Sequence, residues 1–281
     1  MHYETAPAKI NLTLDTLFKR EDNYHEVSMV MTTVDLNDQL SFEKRSDDKI
    51  IIETENQYVP NDRKNLAYQA AALMMETYNI KTGVNIVIDK NIPIAAGLAG
   101  GSSDAAATFR GMNKLYGLER PLDELADLSA QLGSDIPFCV YGRTALCTGR
   151  GEEVKLLPKP TNAWVILAKP SIGVSTKTIY SHLEPGKHEP ASGKVVEAAL
   201  AGDYDGVIRH MKNDLEEVTV RHYPEVKKLI QNMEASGADK AMMSGSGPTV
   251  FGLVQKERQA IHVYNSMRGC CNEVYRVRLL G

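Results

Sequence analysis

No block of lysine and arginine in this chain is long enough to follow a nucleic-acid backbone. Its 32 basic residues are outnumbered by 36 acidic ones, for a formal net charge of −4. Nucleic acid is therefore not the expected main partner, although a mildly negative total leaves room for one local positive site facing an anionic metabolite. Long apolar runs are missing too. The longest, such as Trp164–Ala168, fall far short of the ~18 residues that a membrane-spanning helix needs. The opening MHYETAPAKI has no basic start followed by an apolar stretch, so no secretion signal and a cytoplasmic location are expected. Cysteine is scarce. Cys139, Cys147, Cys270 and Cys271 form no CxxC pair, which argues against a zinc site and a disulfide scaffold and for reduced thiols.

Several catalytic patterns are also absent. His25-Glu26 opens as HExxH does, but Met29 stands where the second histidine belongs, and no other ligand set for a metal stands out. Around Ser246 the two glycines of a hydrolase elbow are replaced by Ser244 and Pro248. No GxxxxGK[ST] exists, and the glycine-rich segment near residue 100 is not GxGxxG, which argues against a Rossmann dinucleotide loop.

What is present reads as an ordinary globular protein. Of 281 residues, 43% are hydrophobic and 24% charged, and at ~150 residues per domain the length suggests about two domains. Ser28–Val34, Lys49–Glu53 and Val84–Asp89 are strand-like, while Leu66, Ala70, Leu73, Met74 and Tyr78 recur at helical spacing. A second helix is expected over Leu122–Leu132, broken by Gly133-Ser134-Asp135-Ile136-Pro137. Composition shifts near Leu157-Pro158-Lys159-Pro160, which predicts a boundary between domains at 1–158 and 159–281. Beyond it, strands over Ala163–Ala168, Thr249–Val254 and Glu273–Leu279 mix with helices over Lys177–His182, Val195–Ala201, Pro224–Ser236 and Arg258–Met267. The mixture lacks regular βαβ alternation and predicts an α+β lobe with an antiparallel sheet.

The strongest chemical signal lies in Pro93-Ile94-Ala95-Ala96-Gly97-Leu98-Ala99-Gly100-Gly101-Ser102-Ser103, followed by Asp104 and a helix-forming Ala105-Ala106-Ala107. Small residues let backbone N–H groups approach an oxyanion, and a helix start adds unpaired N–H groups and a partial positive charge. Ser102, Ser103 and Asp104 are the candidate helix caps. A capped flexible turn explains the same residues, so this segment alone does not decide. Lys9, between Ala8 and Ile10, reads either as an edge-strand lysine or as a cation held beside a phosphate or carboxylate. Asp135 reads either as a turn-fixing residue or as a base. A second cluster, Ser244-Gly245-Ser246-Gly247-Pro248-Thr249, reads equally well as a tight turn.

Three separated segments together resemble the GHMP family of small-molecule kinases: Pro7–Leu12, Pro93–Ala107 and Ser244–Thr249. Asp22–Glu26, Asn65–Tyr68, Gly133–Phe138, Ala145–Gly151 and Lys169–Thr176 further resemble the branch whose acceptor is a cytidine diphospho-polyol of the non-mevalonate isoprenoid route. The resemblance implies a two-lobed GHMP kinase fold. Its N-terminal lobe would be ribosomal protein S5 domain 2-like and its C-terminal lobe ferredoxin-like. It implies ATP and Mg²⁺ as cofactors, with the ATP phosphates on Pro93–Ser103. By the same resemblance Asp135 takes the acceptor proton, Lys9 pairs with it and polarises the hydroxyl, and Tyr24, His25, Tyr180, Asn11 and Thr176 hold the second substrate. The partners implied are small molecules, not nucleic acid or membrane, with a homodimer left open. Two other readings stand beside it, a GHMP kinase of another small alcohol and a non-catalytic nucleotide-binding regulator. In two places the family pattern is broken: Asn23 occupies a usual glycine before Tyr24-His25, where asparagine also tolerates a left-handed turn, and Ala99 occupies a usual glycine of the phosphate segment. That methyl group is harmless at negative φ, whereas positive φ there would lower nucleotide affinity.

Overall fold

The computed structural model describes residues 1–281. In chain order the first elements are β1 (His2–Lys19), β2 (His25–Lys44), β3 (Ile50–Glu53) and α1 (Leu66–Thr77). β4 (Val84–Asp89), α2 (Gly100–Tyr116), α3 (Leu122–Ser129) and α4 (Ile136–Tyr141) follow. Next come β5 (Thr144–Thr148), β6 (Glu153–Leu157), β7 (Trp164–Lys169), α5 (Thr176–Ser181), α6 (Ser192–Ala201) and α7 (Tyr204–His210). The chain ends with β8 (Lys212–Asn213), α8 (Asp214–His222), α9 (Pro224–Ala235), β9 (Lys240–Met243), β10 (Val250–Val254), α10 (Glu257–Arg268) and β11 (Glu273–Arg278). The α+β reading holds.

The chain divides into two compact units. The first comprises residues 1–8, 36–94 and 99–142, and the second comprises 9–35, 95–98 and 143–281. In the first unit, β4 lies between β2, which it meets antiparallel, and β3, which it meets parallel. Helix α2 is its centre and packs on α1, α3 and α4. From Ser103 to Phe109 every residue of α2 is buried, because a run of alanines lets the neighbouring helices approach closely. Arg110 then ties three segments together. Its Nη1 donates to the carbonyls of Cys139 at 2.9 Å and Val140 at 3.3 Å, its Nη2 to Thr5 O at 2.8 Å, and its Nε to Glu4 at 3.0 Å. A guanidinium fork thus fixes the C-terminal end of the short helix α4, and with it the residue that precedes α4, Asp135.

In the second unit, β5 pairs antiparallel with the Met29–Met31 stretch of β2 and with β6. A separate sheet has the order β11-β7-β10-β9, with every pairing antiparallel as expected. All five residues of β10 are buried, with α9 and α10 packed on this sheet.

The structure corrects several local expectations. Helix α2 begins at Gly100, with Ala99 as its cap residue and no side-chain cap. Ser102, Ser103 and Asp104 are already helical, and the Ser103 hydroxyl donates instead to Pro7 O at 2.7 Å. The expected break is present at 133–135, and Ile136 and Pro137 already begin α4, where Pro137 sits in the first turn and lacks only an N–H that has no partner there. β5, β6, α7, α8 and β9 were not anticipated. The tight fit around Arg110 predicts that Arg110→Lys, which keeps the charge but loses the fork, destabilises the chain by about 1.5–3 kcal/mol. Urea unfolding measures this, and an unchanged midpoint contradicts it.

Candidate functional site

Strand β1 carries an unusual face. Alternation places Lys9, Asn11, Thr13 and Asp15 on one side and Ala8, Ile10, Leu12 and Leu14 on the other, and all eight are buried. A buried polar ladder is stable only when each member is satisfied. Lys9 Nζ donates to Asn11 Oδ1 at 2.7 Å. Thr13 Oγ1 accepts from Val30 N at 2.9 Å and lies 2.7 Å from Ser192 Oγ. Asp15 accepts from the backbone N–H groups of Ala191 and Ser192, providing the carboxylate at the start of α6 that α6's own sequence lacks. Lys9 is 4% exposed, so the edge-strand reading is excluded. Asn11 is fully buried, and its Oδ1 accepts from the Lys9 ammonium.

The glycine-rich segment is shaped by what binds its carbonyls. Ala96 O accepts from Thr249 N at 3.4 Å, Gly97 O from Ser244 Oγ at 3.0 Å, and Leu98 O from Lys9 N at 3.1 Å. A planar trans peptide directs its C=O and N–H to opposite sides. Pinning these three carbonyls therefore turns the N–H groups of Gly97, Leu98 and Ala99 the other way, and none of them donates to a protein acceptor. The first-turn N–H groups of α2 follow directly and are also unpaired by construction of a helix. Gly97 is required twice over. Its φ is +75°, and a Cβ there would stand 2.3 Å from Ser244 O.

The second glycine cluster is the clamp on the first. Ser244 and Thr249 supply two of the three donors just named, and Asn213 braces the turn by donating to Met243 O at 2.9 Å and Gly245 O at 2.8 Å. A Cβ on Gly245 would meet Gly97 O at 3.2 Å and Lys9 Nζ at 3.6 Å, so the Lys9 ammonium lies against this cluster.

Tyr24 and His25 begin β2 after a turn in which Asn23 has φ +66° and Asp22 Oδ1 accepts from Tyr24 N at 3.0 Å. Tyr24 is 54% exposed, with the Arg150 guanidinium 5.2 Å from its ring centre. The His25 ring lies 5.2 Å from the Tyr180 ring at a tilt of 38°. Burial, then the Lys19 ammonium, holds the His25 imidazole below its ordinary pKa, so it is neutral at pH 7. Thr176, at the start of α5, has its hydroxyl 2.8 Å from Ser246 Oγ. The second unit thus brings together Lys9, Asn11, Ala95–Leu98 and the 244–249 cluster, and also His25 with Tyr180.

In the first unit, Asp135 is the cap residue of α4, and its carboxylate makes no cap hydrogen bond to that helix. Pro93 is buried and Ile94 is 38% exposed. Asp38 and Lys90, which the sequence did not single out, form a buried ion cluster with Asp104, expected only as a helix cap, at the two ends of the glycine-rich segment. Arg150 was missed as well. The only trace of it was its place between Gly149 and Gly151, a turn that returns to the hairpin through Gly149 N donating to Glu26 Oε1 at 3.2 Å.

Ala99 has φ +55°, the condition under which its methyl group matters. Left-handed backbone costs a non-glycine residue about 1–2 kcal/mol, against about 0.5–1 kcal/mol for the extra freedom glycine loses. Ala99→Gly is therefore expected to stabilise the chain by roughly 0.5–1 kcal/mol and to tighten nucleotide binding, whereas Gly97→Ala is expected to abolish binding. Thermal unfolding and ADP titration of both variants check this, and a destabilised Ala99→Gly contradicts it.

The comparisons agree with this geometry. GHMP kinases N terminal domain matches residues 65–143, and GHMP kinases C terminal matches residues 195–273. The chain is 62% identical over 283 residues to 4-diphosphocytidyl-2-C-methyl-D-erythritol kinase of Macrococcus caseolyticus, covering 100% of both chains. A crystal structure of 4-(cytidine 5'-diphospho)-2C-methyl-D-erythritol kinase superimposes with a TM-score of 0.85 at 34% identity, covering 100% of both chains. Homoserine kinase from Cytophaga hutchinsonii superimposes with a TM-score of 0.80 at 20% identity, covering 98% of this chain and 94% of that one, a likeness of fold. The loop with pinned carbonyls, its clamp and these matches lead to one assignment: the chain belongs to the GHMP kinase family and has its two-lobed fold.

Proposed function

We propose that this protein transfers the γ-phosphoryl group of ATP to the 2-hydroxyl of 4-diphosphocytidyl-2-C-methyl-D-erythritol, a step of non-mevalonate isoprenoid precursor synthesis, in the cytoplasm. The observation that carries the substrate is the ring pair His25–Tyr180 with the exposed Tyr24 beside His25 in sequence. A neutral imidazole offers hydrogen-bonding nitrogens to a pyrimidine edge, and aromatic faces stack on its ring. Kinases of small alcohols without a base have no use for this set. The Macrococcus relative named above, identical at 62% of positions over the full length, supports the same substrate.

In the proposed reaction the unpaired N–H groups of Gly97, Leu98 and Ala99 and the first turn of α2 receive the ATP phosphates, within the segment Pro93–Ser103. Phosphoryl transfer asks mainly for in-line placement and charge neutralisation. Asp135 is the base that accepts the proton of the attacking hydroxyl. Lys9 is the cation at the reacting oxygens, its ammonium donating to Asn11, which also supplies a polar contact to the second substrate. Thr176 supplies a polar contact. No trio of His, Cys, Asp and Glu side chains composes a cation site, so Mg²⁺ belongs in this proposal as the counter-ion that arrives on ATP, and no step is assigned to it. The domain boundary at 158/159 is retained, supported by family matches on either side of it.

Release of ADP with ATP, Mg²⁺ and the cytidine diphospho-polyol tests the reading, with homoserine and mevalonate as alternative acceptors. Turnover confined to the cytidine compound is expected. Preference for another alcohol defeats the substrate, and ADP binding without any turnover defeats the enzyme. Asp135→Asn is expected to lower kcat by about 10²–10⁴-fold with ADP binding retained. Tyr180→Ala is expected to raise KM for the acceptor by about 10–100-fold, the equivalent of ~1–3 kcal/mol for one stacked base, without moving KM for ATP. Undiminished kcat in the first variant, or an ATP effect in the second, contradicts the assigned roles.

A further inference from the structure

The buried charges of the first unit join the two ends of the nucleotide segment. Lys90 follows β4, its side chain is 5% exposed, and its ammonium pairs with Asp38 of β2 and, at 2.9 Å, with Asp104 of α2. Asp38 also accepts from the backbone N–H groups of Asn91 at 2.6 Å and Ile92 at 2.8 Å, just before Pro93. Asp104 lies in the second turn of α2, just after Ser103. A Cβ on Gly100 would stand 2.9 Å from Lys90 Nζ, so the ammonium rests directly against the first residue of that helix.

Two carboxylates share one ammonium here. When both are ionised the triad carries a net charge of −1, buried against the helix start where phosphate is proposed to bind. Asp104 Oδ1 is buried and accepts no hydrogen bond, so half of that carboxylate is left without compensation. The charged groups acting most strongly on Asp104 are Lys90 and Asp38. Helix α1, packed along α2, has Ala67, Ala70, Ala71 and Met74 as its buried residues. An arriving phosphate adds further negative charge and makes the ionised triad costlier still.

Resting on the reading of Pro93–Ser103 as the phosphate segment, we propose that Asp38, Lys90 and Asp104 are positioning residues for the nucleotide phosphates, and that Asp104 takes up a proton from solvent when nucleotide binds, leaving the triad neutral. The proton forms an O–H bond on the Asp104 carboxyl, which shares the Lys90 ammonium with Asp38. Burial pushes the Asp104 carboxyl up to about 7, with Lys90 opposing and Asp38 adding to the rise. Uptake is therefore readable near neutral pH. The sign follows from linkage: a group that gains a proton on binding makes affinity fall as pH rises through its pKa.

Calorimetric titration of the full chain with ADP at pH 7, in two buffers of widely different ionisation enthalpy, counts the protons taken up. The native chain and Asp104→Asn are compared so that titration of ADP itself cancels. The native chain is expected to take up a sizeable fraction of one proton more than the variant, and its ADP affinity to fall several-fold more steeply between pH 6 and pH 8. Equal proton numbers, or equal pH trends, overturn the proposal while leaving the kinase reading intact. Absence of ADP binding to the native chain defeats both. Should Asp104→Asn not fold, carboxyl-carbon NMR of the native chain decides: an aspartate signal that titrates near neutral pH moves to its protonated position on adding ADP, and no such movement overturns the proposal.

Discussion

Pinning of the carbonyls of Ala96, Gly97 and Leu98 is the constraint on which the site depends. Backbone amides are neutral and weak binders singly. Their value as an oxyanion cradle comes from being held outward before the ligand arrives, so that no reorganisation is needed when charge develops. Thr249, Ser244 and Lys9 perform that holding from two other parts of the chain, which explains why three short segments far apart in sequence carry the family signature together. Gly97 and Gly245 are then glycine for a steric reason, since each backbone passes within contact distance of the other segment.

The second organising feature is the buried polar face of β1. Lys9 is the only member with a role in the proposed chemistry, yet the ladder of Asn11, Thr13 and Asp15 determines where Lys9 can be. Burying such a row costs several kcal/mol per unsatisfied charge, and each member has been given partners, with Ser192 at the start of α6 serving both Thr13 and Asp15. A strand that reads as an apolar run interrupted by polar residues is thus a continuous structural element with two different faces. The Asp38–Lys90–Asp104 cluster extends the same logic to the first unit: buried charge appears where backbone is held at the two ends of the glycine-rich segment.

Much of this was legible in the residues. The glycine segments stood out by lacking side chains; Lys9 and Asp135 each admitted two readings, and their roles, like those of Tyr24 and His25, came only from the family resemblance. Helices with strong periodicity, such as α1 and α9, were legible too. Short elements were not. β9 and α8 depend on partners distant in sequence, and α4 was hidden by a proline that its first turn accommodates. The cap of α2 was misplaced because Ser103 and Asp104 resemble caps, whereas tertiary partners, Pro7 O and Lys90, claim their side chains. Lys90 and Asp38 gave no signal at all, since a lysine and an aspartate some fifty positions apart become informative only once β2 and β4 are paired.

The most direct test is amide NMR of the full chain on addition of ADP. The account predicts that the N–H signals of Gly97, Leu98, Ala99 and the first turn of α2 shift and gain protection from exchange, while the amide of Ser103, already bonded to Ala99 O, changes least. ADP binding that leaves the signals of Gly97–Ala99 unmoved would contradict it, because the nucleotide would then be held somewhere other than the amides that the pinned carbonyls turn outward.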